Sequence, residues 1–161
     1  MKRLILVRHG KSSWEQNLPD EQRPLQKRGK KDGRLVASAF TKFNDRKLVI
    51  YSSPATRAHE TALIFKEVLN IPDNNFHINS SLYTFSSSDL LQEIKNCSNE
   101  IQDLMVFGHN PATTNVVNLL GNRYFENIPT TGLTVIDFET ENWSDLKSGK
   151  TILNLFPKNL R

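Results

Sequence analysis

Three short segments concentrate the side chains that handle a phosphoryl group. Arg8-His9-Gly10-Lys11-Ser12-Ser13 sets an arginine beside a histidine, Ser52-Ser53-Pro54-Ala55-Thr56-Arg57 ends on a second arginine, and Gly108-His109-Asn110-Pro111 supplies a second histidine. A guanidinium matches phosphate oxygens with a planar fork and stays charged at any working pH. A neutral imidazole, available near pH 7, attacks phosphorus as a nucleophile. Gly10, directly after His9, lets the backbone pass close to a bound anion. One histidine at a strand end is most often a packing or capping residue, but two histidines and two arginines in converging segments argue for chemistry. Metal ligation is the competing use. No carboxylate stands near His9 or His109 at ligand spacing, so the expectation is a site without metal or other cofactor.

The elements that must position these residues read as strands alternating with helices, the pattern of an α/β protein. The expected architecture is a three-layer sandwich with a mostly parallel central sheet. Residues 2–7 form a continuous apolar run, as in a strand buried on both faces. A helix is expected over 26–42, with Leu35, Val36, Ala39 and Phe40 inward, then a strand over 47–51. Ser53 reads as the N-cap of the next helix, with Pro54 at its first position and Ala58, Ala62, Phe65 and Leu69 inward. A short strand over 76–78, a helix opened by Ser86-Ser87-Ser88-Asp89, and a buried strand over 103–107 follow. A helix from Asn110-Pro111 to about Leu120 comes next, then strands over 132–138 and 150–156 whose direction the sequence leaves open. In such sheets ligands bind beyond the carboxyl ends of strands, where the three segments fall.

With 161 residues and no repeat or linker, the chain reads as a single domain over 1–161. A lone cysteine, Cys97, excludes a disulfide framework and a cysteine-based zinc site. No apolar run approaches the ~20 residues of a membrane span, and the N-terminal apolar stretch, closed by Arg8-His9-Gly10, is too short for a signal peptide. The expectation is therefore a cytoplasmic chain without a membrane partner, with a monomer favoured. Residues 1–47 hold 13 Lys/Arg against 5 Asp/Glu, a surplus of eight, whereas residues 48–161 hold 8 against 12. That asymmetry fits an anionic partner. No aromatic-basic interleaving or known motif supports nucleic acid.

Leu6-Val7-Arg8-His9-Gly10, the block from Ser52 to Ala62, and Val106-Phe107-Gly108-His109-Asn110 together resemble, in order and spacing, the three signature blocks of the histidine phosphatase superfamily, which includes the phosphoglycerate mutases. The resemblance spans roughly residues 2–138. Within the superfamily, the short length and Arg23-Pro24-Leu25 with Gly29 resemble the SixA-type phosphohistidine phosphatases. The resemblance implies a phosphoglycerate mutase-like fold and His9 as a transiently phosphorylated nucleophile. Arg8, Arg57 and a protonated His109 would hold the phosphoryl group, and the arginines would keep His9 neutral. It also makes Arg23 an additional phosphate or substrate contact. Ser12 and Asn17 join the phosphate-binding candidates, while Lys11 is expected at the surface and His59 and His77 in structural roles.

Two departures bear on the substrate. Where mutase-type members carry an asparagine, six residues after the nucleophile, this chain has Glu15, with Asn17 two further on. The carboxylic acid many members carry is missing from Ser81-Leu82-Tyr83-Thr84-Phe85 and from the position after His109, which is Asn110. An alkoxide leaving group needs a proton donor, whereas an imidazole, with a conjugate acid of pKa about 6.5, needs much less help. The expected substrate is thus a protein phosphohistidine, attacked through a phosphohistidine enzyme intermediate. A small phosphomonoesterase acting on a metabolite or phosphopeptide, and a non-catalytic phosphate-binding module, are the alternatives.

Overall fold

The computed structural model describes residues 1–161. Six strands, β1 (Lys2–Arg8), β2 (Val49–Ser52), β3 (Phe76–Ile78), β4 (Asp103–Gly108), β5 (Leu133–Phe138) and β6 (Lys150–Leu155), form one sheet in the order β3-β2-β4-β1-β5-β6. The first four are parallel, and β5 and β6 run antiparallel to their neighbours. The expected layers and mostly parallel sheet are present, and the direction of the last two strands is now fixed. Helices α1 (Lys27–Phe43) and α2 (Thr56–Leu69) cover one face, and α3 (Ser87–Lys95) and α4 (Ala112–Leu120) cover the other. Successive side chains of a strand point to opposite faces. Ile5 and Val7 accordingly pack with Val36, Ala37, Phe40 and Phe65, while Leu4 and Leu6 pack with Leu90, Ile94, Val116 and Val117. This is why β1 reads as an uninterrupted apolar run.

Two local differences and one close approach have physical reasons. The inward face of α1 centres on Gly33, Val36, Ala37 and Phe40, and Leu35 and Ala39 fall to its flanks. Helix α2 starts at Thr56, so Pro54 lies outside it, and its N-cap, Ala55, brings no side-chain hydrogen bond. Ser53 is therefore not the cap; its hydroxyl accepts from Ala55 N at 3.2 Å and is used elsewhere. Gly29, in the first turn of α1, passes so close to Lys11 that a Cβ there would meet the Lys11 carbonyl at 2.5 Å. That approach folds the β1–α1 loop, residues 9–26, back against the helix.

Candidate active site

Strands β2, β4 and β1 are neighbours, so their carboxyl ends lie side by side. Arg8 pairs with Gly108, and Ser52 with Phe107. Beyond the last ladder positions, His9 N donates to Gly108 O at 3.1 Å and Ser53 N to Phe107 O at 3.0 Å. Sheet register thus brings the three corners to one place. The rings of His9 and His109 sit 5.2 Å apart, and Arg57 spans both, with Nε 3.4 Å from His9 Nε2 and Nη2 3.4 Å from His109 Nδ1. All three are buried, with 8%, 1% and 2% exposure for His9, His109 and Arg57. Thr61 ties the β1 corner to α2: its hydroxyl accepts from Gly10 N at 2.9 Å and donates to Arg57 O at 2.7 Å.

The tautomers follow from the partners. His9 Nδ1 lies 2.7 Å from Gly10 O, which only accepts, so Nδ1 carries the proton and Nε2 presents its lone pair to the pocket. His109 Nε2 lies 2.8 Å from Ser53 Oγ, and Arg57 Nη2 donates toward Nδ1, so Nε2 is the protonated nitrogen in the free protein. Burial is the largest cause lowering the His9 pKa to about 4; the Gly10 hydrogen bond opposes it, and the charges of Arg57, Arg8 and Arg23 add to it. The arginines do keep His9 neutral, as expected, but burial outweighs them. Burial, then His9 and Arg57, lowers His109 to about 3, so His109 is neutral rather than protonated when no anion is present. Burying a charge without a counter-charge is costly, and the pocket offers cations instead.

Arg8 donates through Nη1 to Ile128 O at 2.8 Å, while its buried Nε has no hydrogen-bond partner. Arg23 is buried but lies one layer further out. Its Nη1 donates to Ser12 Oγ at 2.6 Å, its Nε and Nη2 to Asp20 Oδ1 at 3.3 Å each, and its guanidinium stacks 3.6 Å over the Trp14 ring. Ser12 is thus brought to the rim through Arg23. Asn17 and Lys11 are exposed. His77 is exposed, and His59 packs against Phe76, away from the pocket.

Four residues at the site escaped the sequence reading. Ser53 holds His109. Tyr83 and Phe85 flank the His109 ring, with centroids at 5.3 and 5.5 Å. Asp20, at the start of a single turn (Asp20–Gln22), binds Arg57 through Oδ2 at 2.9 Å and through its backbone oxygen at 2.6 Å, and accepts from Tyr83 Oη at 2.6 Å. No group of three His, Cys, Asp or Glu side chains is placed to hold a metal ion, and no helix is long and apolar enough to cross a membrane.

Comparison with known proteins agrees with this geometry. The family model of the histidine phosphatase superfamily (branch 1) matches residues 4–77, which include the first two corners. An uncharacterized chloroplastic protein of Arabidopsis thaliana is 34% identical over 128 residues, covering 74% of this chain and 59% of that one. The chain therefore spans about three-fifths of that relative's length. Phosphoserine phosphatase 1 of Hydrogenobacter thermophilus is 41% identical over 76 residues, 44% of this chain and 34% of its own. The structure of the protein histidine phosphatase SixA complexed with tungstate shares the fold over 99% of both chains, with a TM-score of 0.84 at 20% identity. The Arg8-His9-Gly10 corner thus lies inside the segment that is similar to the histidine phosphatase superfamily, and the fold of SixA extends over the whole length of the chain.

Proposed function

We propose that this protein is a metal-independent phosphatase acting on protein phosphohistidine through a phosphorylated His9. The observation that carries the reading is the Nδ1–Gly10 O hydrogen bond, which fixes His9 Nε2 as an unprotonated nitrogen facing Arg57 and His109. Phosphoryl transfer asks a protein mainly to position the reactants and to neutralise the equatorial oxygens. Arg57 offers Nε and Nη2 to those oxygens and Arg8 its unpartnered Nε, both as fixed positive charge. His109 takes up a proton at Nδ1 as the dianion arrives and becomes a third donor, with Ser53 holding its other nitrogen. His9 Nε2 bonds to phosphorus, the substrate departs with the electron pair of the broken bond, and water then attacks the phosphohistidine and releases phosphate.

The protein substrate is supported by the rim. No long insertion roofs the pocket, and Tyr83 and Phe85 offer flat apolar walls to an imidazole ring. The likeness to SixA, a protein histidine phosphatase, supports the same reading. The segment shared with a phosphoserine phosphatase favours a second one, a phosphomonoesterase on a small substrate. Phosphate release from a phosphohistidine peptide and from p-nitrophenyl phosphate, measured side by side with EDTA, separates them. The first reading expects EDTA-resistant turnover with preference for the peptide. Preference for the ester supports the second, and activity lost to EDTA contradicts the metal-free mechanism.

A further inference from the structure

We propose that Asp20 selects the leaving group: its carboxylate, at the mouth of the pocket, accepts the ring N–H of a departing imidazole and disfavours leaving oxygens that need a proton. The inference rests on the phosphatase reading of His9 and names the substrate class at that same site. It starts from how Arg57 is shared. The outer end of its guanidinium is gripped by one residue, with Nη1 on Asp20 O and Nη2 on Asp20 Oδ2. The inner edge, Nε and Nη2, faces His9 and His109. Each Nη carries two hydrogens, so the carboxylate and a phosphoryl group use different edges of one guanidinium.

Depth places the carboxylate on the leaving-group side. His9, His109 and Arg57 form a buried floor, whereas the Asp20 side chain is 43% exposed. In-line displacement puts the departing atom on the face of phosphorus away from His9 Nε2, toward the open mouth. There stand Asp20, the Tyr83 hydroxyl bonded to it, and Phe85, edge-to-face with the Tyr83 ring.

The chemistry then depends on the proton. The Tyr83 hydrogen bond, followed by Arg57 and Arg23 and opposed by burial, lowers the Asp20 pKa to about 2, so this carboxylate holds no proton for an alkoxide. An imidazole phosphorylated on one nitrogen and protonated on the other needs none. As His9 Nε2 bonds to phosphorus, the N–P bond breaks and its electron pair returns to the departing nitrogen. The proton stays on the far ring nitrogen throughout, and neutral imidazole leaves. A negative acceptor beside that N–H favours the protonated form that departs, and the same charge repels an alkoxide.

The test is Asp20→Asn, close in shape but uncharged, with Asp20→Ala repeating it without an amide that donates. Values of kcat/KM are measured on a phosphohistidine peptide and on a phosphoserine peptide of the same sequence. The phosphohistidine value should fall relative to the phosphoserine value by about 10- to 100-fold, the worth of one hydrogen bond to a charged group. A parallel fall on both peptides overturns the proposal and leaves Asp20 as a positioning residue for Arg57. A parallel rise overturns it as well, showing only competition with phosphate for Arg57. A wild-type protein that turns over neither peptide contradicts the phosphatase reading itself, and selection by Asp20 falls with it.

Discussion

The pocket is built from two regions held by different physics. The corners carrying His9, Arg57 and His109 are extensions of β1, α2 and β4, fixed by sheet register, backbone hydrogen bonds and a core at their backs. The rest of the β1–α1 loop, residues 11–26, lies largely over the surface, and its functional side chains are fixed by polar contacts with one another and with Arg57. The difference teaches that the floor is determined by the fold, while the mouth is determined by a network that a few substitutions can retune. Changes at the floor should alter the chemistry itself; changes at the mouth should alter the choice of substrate.

The largest effect belongs to Arg57. Arg57→Ala should lower kcat/KM by roughly 10²–10⁴-fold, about 3–5 kcal/mol of transition-state stabilisation, with the melting temperature showing the fold intact. Arg57→Lys should recover only part, because an ammonium cannot present two parallel donors. Full recovery by lysine would mean that charge alone mattered and geometry did not.

Next comes acid stability. His9 and His109 have pKa values lowered in the folded chain, to about 4 and about 3, against an unfolded value near 6.5. Between those limits the unfolded chain binds more protons, so stability is complete above about pH 6.5 and falls as the pH drops toward 4. Each histidine contributes at most about 1.4 kcal/mol per pH unit in that window. Urea melts at pH 7 and pH 5 should show a smaller loss for His9→Asn than for wild type, and equal losses would show that His9 does not stay neutral when folded.

Ser53→Ala removes the partner of a buried His109 nitrogen, and about 1–2 kcal/mol, near tenfold in kcat/KM, should go with it. The smallest effect is expected at the mouth's outermost contact. Trp14 is 74% exposed, and its stacking on Arg23 is worth about 0.5–1 kcal/mol, so Trp14→Ala should change kcat/KM on p-nitrophenyl phosphate by only a few-fold. A loss as large as that of Arg57→Ala would show that the loop, and not the corners, sets the site.

The same contrast governs what was legible in the sequence. His9, Arg57 and His109 stand directly after buried apolar runs or at a helix start, so strand position alone brought them together. The antiparallel end was not legible, because β5 is buried along nearly its whole length and such a run carries no sign of direction. Ser53 was read as a helix cap because serine before proline is a common helix start, but α2 begins three residues later and the hydroxyl serves His109 instead. Asp20 lies eleven residues from His9 in a polar loop, and nothing local marks a carboxylate whose partners, Arg57 and Tyr83, are 37 and 63 residues away. The segment around Tyr83 carries no carboxylate of its own, and its tyrosine instead binds one supplied by Asp20.

The central claim is that His9 is the covalent nucleophile. The most direct measurement mixes protein with a labelled phosphoryl donor, quenches within milliseconds and maps the label. Wild type should yield an acid-labile, base-stable phosphoprotein with the label on the peptide containing His9, and His9→Ala should yield none while still binding phosphate through Arg8, Arg57 and His109. Label on His109 would exchange the two roles, and no label under rapid quench would mean that water attacks the substrate directly.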